Sequence, residues 1–79
     1  MHEDKTIIQL VPCMTPVYNV FKNEDGSYFH ERVCCLALCK DGFIRSISVC
    51  EFFDLAEESS NFVGSFNEES LTEYPTRKN

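Results

Sequence analysis

The chain has 79 residues, 13 acidic side chains against 7 Lys and Arg, and a net charge of −6. A chain of that length forms one domain that buries only about 60% of its unfolded surface, leaving little core for a deep catalytic cleft. The charge disfavours non-specific attraction to nucleic acid or anionic lipid, and an apolar content of 43% excludes a disordered acidic chain.

The first residues, Met1-His2-Glu3-Asp4-Lys5, carry the wrong charge for a secretion signal, and no apolar stretch follows them. The longest apolar run, Val33 to Cys39, is too short to span a bilayer. A cytoplasmic protein without a membrane partner is expected. Residues 1–5 read as a flexible N-terminus, 6–66 as a single β domain and 67–79 as a polar, disordered tail.

Thr6 to Val11 is β-branched and short, which predicts a strand. Pro12 and Pro16 then bracket Cys13-Met14-Thr15 and exclude a continuing central strand. Val17 to Lys22 resumes the strand pattern. Asn23-Glu24-Asp25-Gly26-Ser27 is a turn, with Asp-Gly its strongest signal. Tyr28 to Cys39 reads as one long strand whose second half is apolar on both faces, as at the centre of a curled or covered sheet. Lys40-Asp41-Gly42 is a second tight turn. In Phe43 to Cys50, Ile47 and Val49 alternate with Ser46 and Ser48, which predicts an apolar face inward and a serine face outward.

Glu51 to Glu58 fits either a short helix or a strand ending at Asp54. Glu57 to Asn61 has loop composition. Phe62 to Phe66 reads as a last short strand, with Gly64 permitting a bulge or a close backbone approach. The expected class is all-β, or β with one short helix: a small curled antiparallel sheet or SH3-like barrel of about five strands.

The five cysteines are Cys13, Cys34, Cys35, Cys39 and Cys50. The odd count and the absence of a secretion signal argue for structural thiols over a disulfide framework. On a strand, Cys34 and Cys35 would point to opposite faces, and Cys35 and Cys39 would lie roughly 13 Å apart, at about 3.3 Å per residue. Zinc needs far closer sulfurs. His30 reads as a half-exposed strand residue rather than a base beside a nucleophile.

No glycine-rich phosphate loop, metalloprotease helix motif, nucleophile elbow or EF-hand is present. No catalytic, metal or cofactor residue is nominated, and an enzyme is not expected. Tyr18, Phe21, Tyr28, Phe29 and Phe43, with nearby Lys22, Arg32, Lys40 and Arg45, offer an alternative: a small barrel stacking single-stranded nucleic acid. The bland reading of those aromatics is core packing.

One charge feature stands out. From Ser46 to Thr76 there is no Lys or Arg, while Glu51, Asp54, Glu57, Glu58, Glu68, Glu69 and Glu73 fall inside the gap. A solvated surface is the plain explanation. The sharper one is a rigid acidic face of Glu51, Asp54, Glu57 and Glu58 that meets a protein with a basic surface. In the extreme, such carboxylates imitate phosphates and occlude a nucleic-acid-binding groove.

Pro16-Val17-Tyr18-Asn19-Val20-Phe21-Lys22, Glu24-Asp25-Gly26, Val33 with Leu36-Ala37-Leu38, Asp41-Gly42 and Asn61-Phe62-Val63-Gly64 together resemble small uncharacterised bacterial or mobile-element β proteins. The likeness covers roughly residues 6–66 and consists of turn and core positions. It implies a fold and transfers no functional residue.

Overall fold

The computed structural model describes residues 3–49 and 54–76. Among the described residues, seven strands run in the order β1 (Ile7–Pro12), β2 (Val17–Lys22), β3 (Tyr28–Arg32), β4 (Cys35–Cys39), β5 (Ile44–Val49), β6 (Asp54–Leu55) and β7 (Phe62–Asn67). Two 3-10 segments follow β6 and β7: η1 (Ala56–Glu58) and η2 (Glu68–Glu73). All strand pairing within the sheets is antiparallel. The expected all-β class is what the chain adopts.

The strands form two sheets, one in the order β1-β4-β5-β6 and one in the order β3-β2-β7. The expected unbroken strand from Tyr28 to Cys39 is divided between them. Its first half pairs with β2 and its second half with β1 and β5. The break falls at Val33 and Cys34. There Val33 is buried and donates its N–H to Val17 O at 2.9 Å. A run apolar on both faces thus marks the passage of the chain from one sheet to the other.

Both Asp-Gly turns form as expected. Gly26 and Gly42 adopt φ of 88° and 89°, a left-handed conformation that glycine takes without steric cost. In the second turn Asp41 Oδ1 accepts the Phe43 N–H at 3.1 Å, and Gly42 N–H reaches Cys39 O at 2.9 Å.

The four-stranded sheet encloses a small core of Ala37, Cys39, Ile47 and Leu55, with Ile7 and Cys35 packed against it. The expected inward placement of Ile47 is met, whereas Val49 is described through its backbone alone. The serine face does not simply meet solvent. Ser46 Oγ and Ser65 Oγ both donate to Asn19 Oδ1, at 2.9 and 2.7 Å, and Asn19 Nδ2 donates to Ile47 O at 3.3 Å. Asn19 is 0% exposed, so this network joins β2 and β7 to β5 across the two sheets. A buried amide needs such partners, because leaving it unpaired is costly.

The segment expected to fray beyond Phe66 extends β7 to Asn67 and then enters η2, where Asn67 Oδ1 caps Ser70 N at 3.0 Å. Tyr74 packs against Tyr28 and Phe66, with ring centroids 5.2 and 4.7 Å away. His30 Nε2 donates to Tyr74 O at 2.6 Å, which fixes the proton on that nitrogen. Tyr28 N donates to Pro75 O at 3.0 Å. These contacts lay the chain to Thr76 across the face of the three-stranded sheet that bears Tyr28 and His30.

Candidate functional site

The proposed acidic face comprises Glu51, Asp54, Glu57 and Glu58. Glu51 lies outside the described residues. Asp54 opens β6, pairs with Val49 in register and is exposed. Ala56 is buried, whereas Glu57 and Glu58 project from η1 toward solvent.

Glu57 is already engaged. Its carboxylate takes Lys5 Nζ at 2.9 Å on one oxygen and Arg45 Nε at 3.1 Å on the other. Glu58 stands 3.9 Å from the same Lys5 nitrogen. Arg45 also grips Asp41 through both Nη atoms, at 3.0 and 2.8 Å, in a bidentate pair. That hydrogen bonding pulls the Asp41 carboxyl from an ordinary 3.8 down to about 2 and raises the Arg45 guanidinium. The Glu57 hydrogen bond likewise raises the Lys5 ammonium.

The charge gap is therefore closed in part by cations that precede it. Lys5 and Arg45 come from before β1 and from β5, and both reach η1. Their arrival depends on long-range folding that spacing along the chain does not reveal. Among the described residues, Asp54 has no ion-pair partner within 4 Å.

The same sheet carries an uncovered apolar strip. Register pairs Val11 with Leu36 and Leu38 with Ile44, on the face opposite Ala37 and Ile47. Leu36 and Leu38 are half-buried, while Val11 and Ile44 are 41% and 64% exposed.

The aromatics of the nucleic-acid alternative do not share one face. The β2–β3 register puts Tyr18 and Tyr28 on one side of the three-stranded sheet and Phe21 with Phe29 on the other. Phe43 stands just before β5 on the second sheet. Arg32 lies over the Tyr18 ring at 5.8 Å and Arg45 over Phe43 at 5.7 Å.

The cysteines bring a correction. Cys13, Cys35 and Cys39 are free thiols, but Cys34 is disulfide-bonded. Cys34 and Cys35 also do not diverge: their sulfurs are 3.9 Å apart. Cys34 sits in the break between β3 and β4, so the side-chain alternation of a strand does not govern it. Cys50 lies outside the described residues. Among the described residues, no group of three or more His, Cys, Asp or Glu is arranged to hold a metal ion. No described helix is long and apolar enough to cross a membrane.

A further feature was not anticipated from sequence. A cleft of about 230 Å³ opens between the sheets, lined by Phe21, Phe29 and Glu31 from one side and Ser48 from the other. Asn23, Ser59 and Asn61 complete its described lining. Comparison with protein-family models, with curated proteins and with solved structures finds no match for this chain.

Proposed function

We propose that the protein is a non-enzymatic binding module that contacts another macromolecule, a protein with a basic surface. The observation that carries this reading is the four-stranded sheet, where the apolar strip of Val11, Leu36, Leu38 and Ile44 shares a sheet with an acidic edge at Asp54, Glu57 and Glu58. Exposed carboxylates on a folded edge can complement a basic surface, and exposed apolar side chains on the same sheet offer further contact area. The Lys5–Glu57–Arg45 ties support the edge as a fixed surface rather than a mobile one. In its most specific form the proposal is a cytoplasmic inhibitor, of phage or mobile-element origin, whose carboxylates stand in for phosphates in a nucleic-acid-binding groove.

Charge reversal tests the edge. Asp54→Lys with Glu58→Lys leaves the Glu57 ion pairs to Lys5 and Arg45 in place, and circular dichroism checks that the fold is kept. Affinity capture in steps of rising salt should then lose the partners held by the native chain. Retention of the same partners with unchanged salt sensitivity would refute the acidic contact. Saturable binding of single-stranded oligonucleotides at low salt would favour the nucleic-acid reading instead.

A further inference from the structure

We infer that the cleft at Phe21, Phe29 and Glu31 is a receptor for one arginine side chain of a partner protein. Glu31 lines the cleft, yet its Oε1 is buried and has no hydrogen-bond partner among the described residues. A buried carboxylate oxygen in that condition opposes folding, so its presence calls for an explanation outside the free chain. The β2–β3 register sets Phe21 opposite Phe29 and places Glu31 two residues along the same face as Phe29. The two rings stack with centroids 6.0 Å apart and planes inclined by 30°. Phe21 is buried, but Phe29 is 50% exposed, so one aromatic wall remains open.

The remaining polar lining is the amides of Asn23 and Asn61 and the hydroxyls of Ser48 and Ser59. Asn23 Nδ2 is engaged on Ser27 Oγ at 3.0 Å, and Asn61 Nδ2 on Lys22 O at 3.2 Å. Each amide keeps its carbonyl oxygen and one N–H for a ligand. With the Glu31 carboxylate, the cleft offers acceptors, negative charge and an aromatic surface, and none of its described lining residues is Lys or Arg. An occupant that supplies positive charge, donors for the Glu31 carboxylate and a face that stacks on Phe29 complements this lining. A guanidinium has all three: several N–H donors in one plane, a permanent charge, and affinity for aromatic rings. A lysine ammonium is a compact, strongly hydrated charge that does not stack. The volume falls below the roughly 300–1,000 Å³ of pockets that enclose drug-sized molecules, which suits a single side-chain head.

This inference shares the basic partner of the proposed function but rests on other residues, on the other sheet. The test needs no partner. The isotope-labelled full chain is titrated with a blocked arginine, a blocked lysine and a nucleoside monophosphate, and its backbone amides are followed by NMR. Saturable shifts at Phe29, Glu31, Ser48 and Asn61 are expected for the blocked arginine, with a dissociation constant on the order of millimolar and about tenfold tighter than for lysine. Glu31→Gln should weaken that binding about tenfold or more while leaving Tm unchanged or higher, since it removes a charge and breaks no hydrogen bond of Glu31 Oε1. Phe29→Ala, at a half-exposed ring, should weaken it too, and serves if Glu31→Gln fails to fold. Absence of saturable shifts at those amides, equal response to lysine, or preference for the nucleotide would overturn the inference. So would a lowered Tm for Glu31→Gln with binding intact, or shifts at these amides on simple dilution, which would point to a second copy of the chain. The acidic edge is judged separately, by capture with Asp54→Lys and Glu58→Lys.

Discussion

Asn19 gives the sharpest test of how the two sheets are joined. It is fully buried, accepts from Ser46 and Ser65 at 2.9 and 2.7 Å, and donates to Ile47 O at 3.3 Å. Asn19→Ala removes all three bonds. Each is worth about 1 kcal/mol net, the long one less, and the two serines, 3.2 Å apart, can partly pair with each other. A loss of about 1–3 kcal/mol follows, against a total of about 4–12 kcal/mol for a domain of this size. The melting temperature should fall by about 5–20 °C.

Asn19→Asp separates burial from mere loss of contacts. Protonated, the aspartic acid accepts from both serines and its O–H donates to Ile47 O, as the amide does. Ionised, it places a charge in a site without solvent and an oxygen against that carbonyl. Its folded pKa must then rise above the unfolded value of about 3.9. The penalty is present in full above the folded pKa. It disappears as pH falls through that pKa toward about 4, at about 1.4 kcal/mol per unit of upward displacement. Denaturant melts of Asn19→Asp, Asn19→Ala and the native chain, at matched pH from 8 to about 4, measure this. The aspartate variant should be the weakest at the top of the range and near native at the bottom. A pH-independent gap between it and the native chain would refute the sealed network.

Ile47→Ala, at a fully buried core position, should cost about 2–5 kcal/mol, enough to bring the chain near unfolding at ambient temperature in a denaturant melt. The Asp41 carboxyl, held at about 2 by Arg45 against an ordinary 3.8, contributes stability that is whole above about 4 and lost as pH falls toward 2. Asp41→Asn should therefore flatten the acid limb of the stability curve, and an unchanged limb would mean that the Asp41–Arg45 pair does not control it. Tyr74→Ala removes ring contacts with Tyr28 and Phe66 and should cost about 1–3 kcal/mol. It should also speed hydrogen exchange at Tyr28, whose amide bonds Pro75 O.

What the sequence disclosed is what short-range chemistry decides. Asp25-Gly26 and Asp41-Gly42 announced their turns, because only glycine takes the required φ cheaply. Alternation announced Ile47 as core. Tyr28 to Cys39 misled, because apolar runs on both faces fit a central strand and a sheet-to-sheet crossing equally well. The C-terminal segment misled for another reason. Its order comes from a few anchors, Tyr74 on Tyr28 and Phe66 and the His30 hydrogen bond, which no periodicity encodes. At the candidate site, Asp54 and Glu58 lie exposed near one sheet edge, but the pairing of Glu57 with Lys5 and Arg45 depends on partners about 50 and 12 positions away.

The same logic ranks the carboxylates as functional signals. An exposed acid costs a folded chain almost nothing, so a run of them says little about selection for binding. Glu57 and Asp41 carry charge, but their partners lie within the chain and their role is explained by holding η1 and the second turn in place. Asp54 is exposed and has no ion-pair partner among the described residues, which permits a contact and does not require one. Glu31 differs from all of them. Its Oε1 is buried, with no partner among the described residues, beside two aromatic rings, a state that opposes folding. A small domain has little stability with which to offset such a group. The carboxylate most informative about function is thus one outside the charge gap, and a cation delivered by a partner is the occupant that removes its cost.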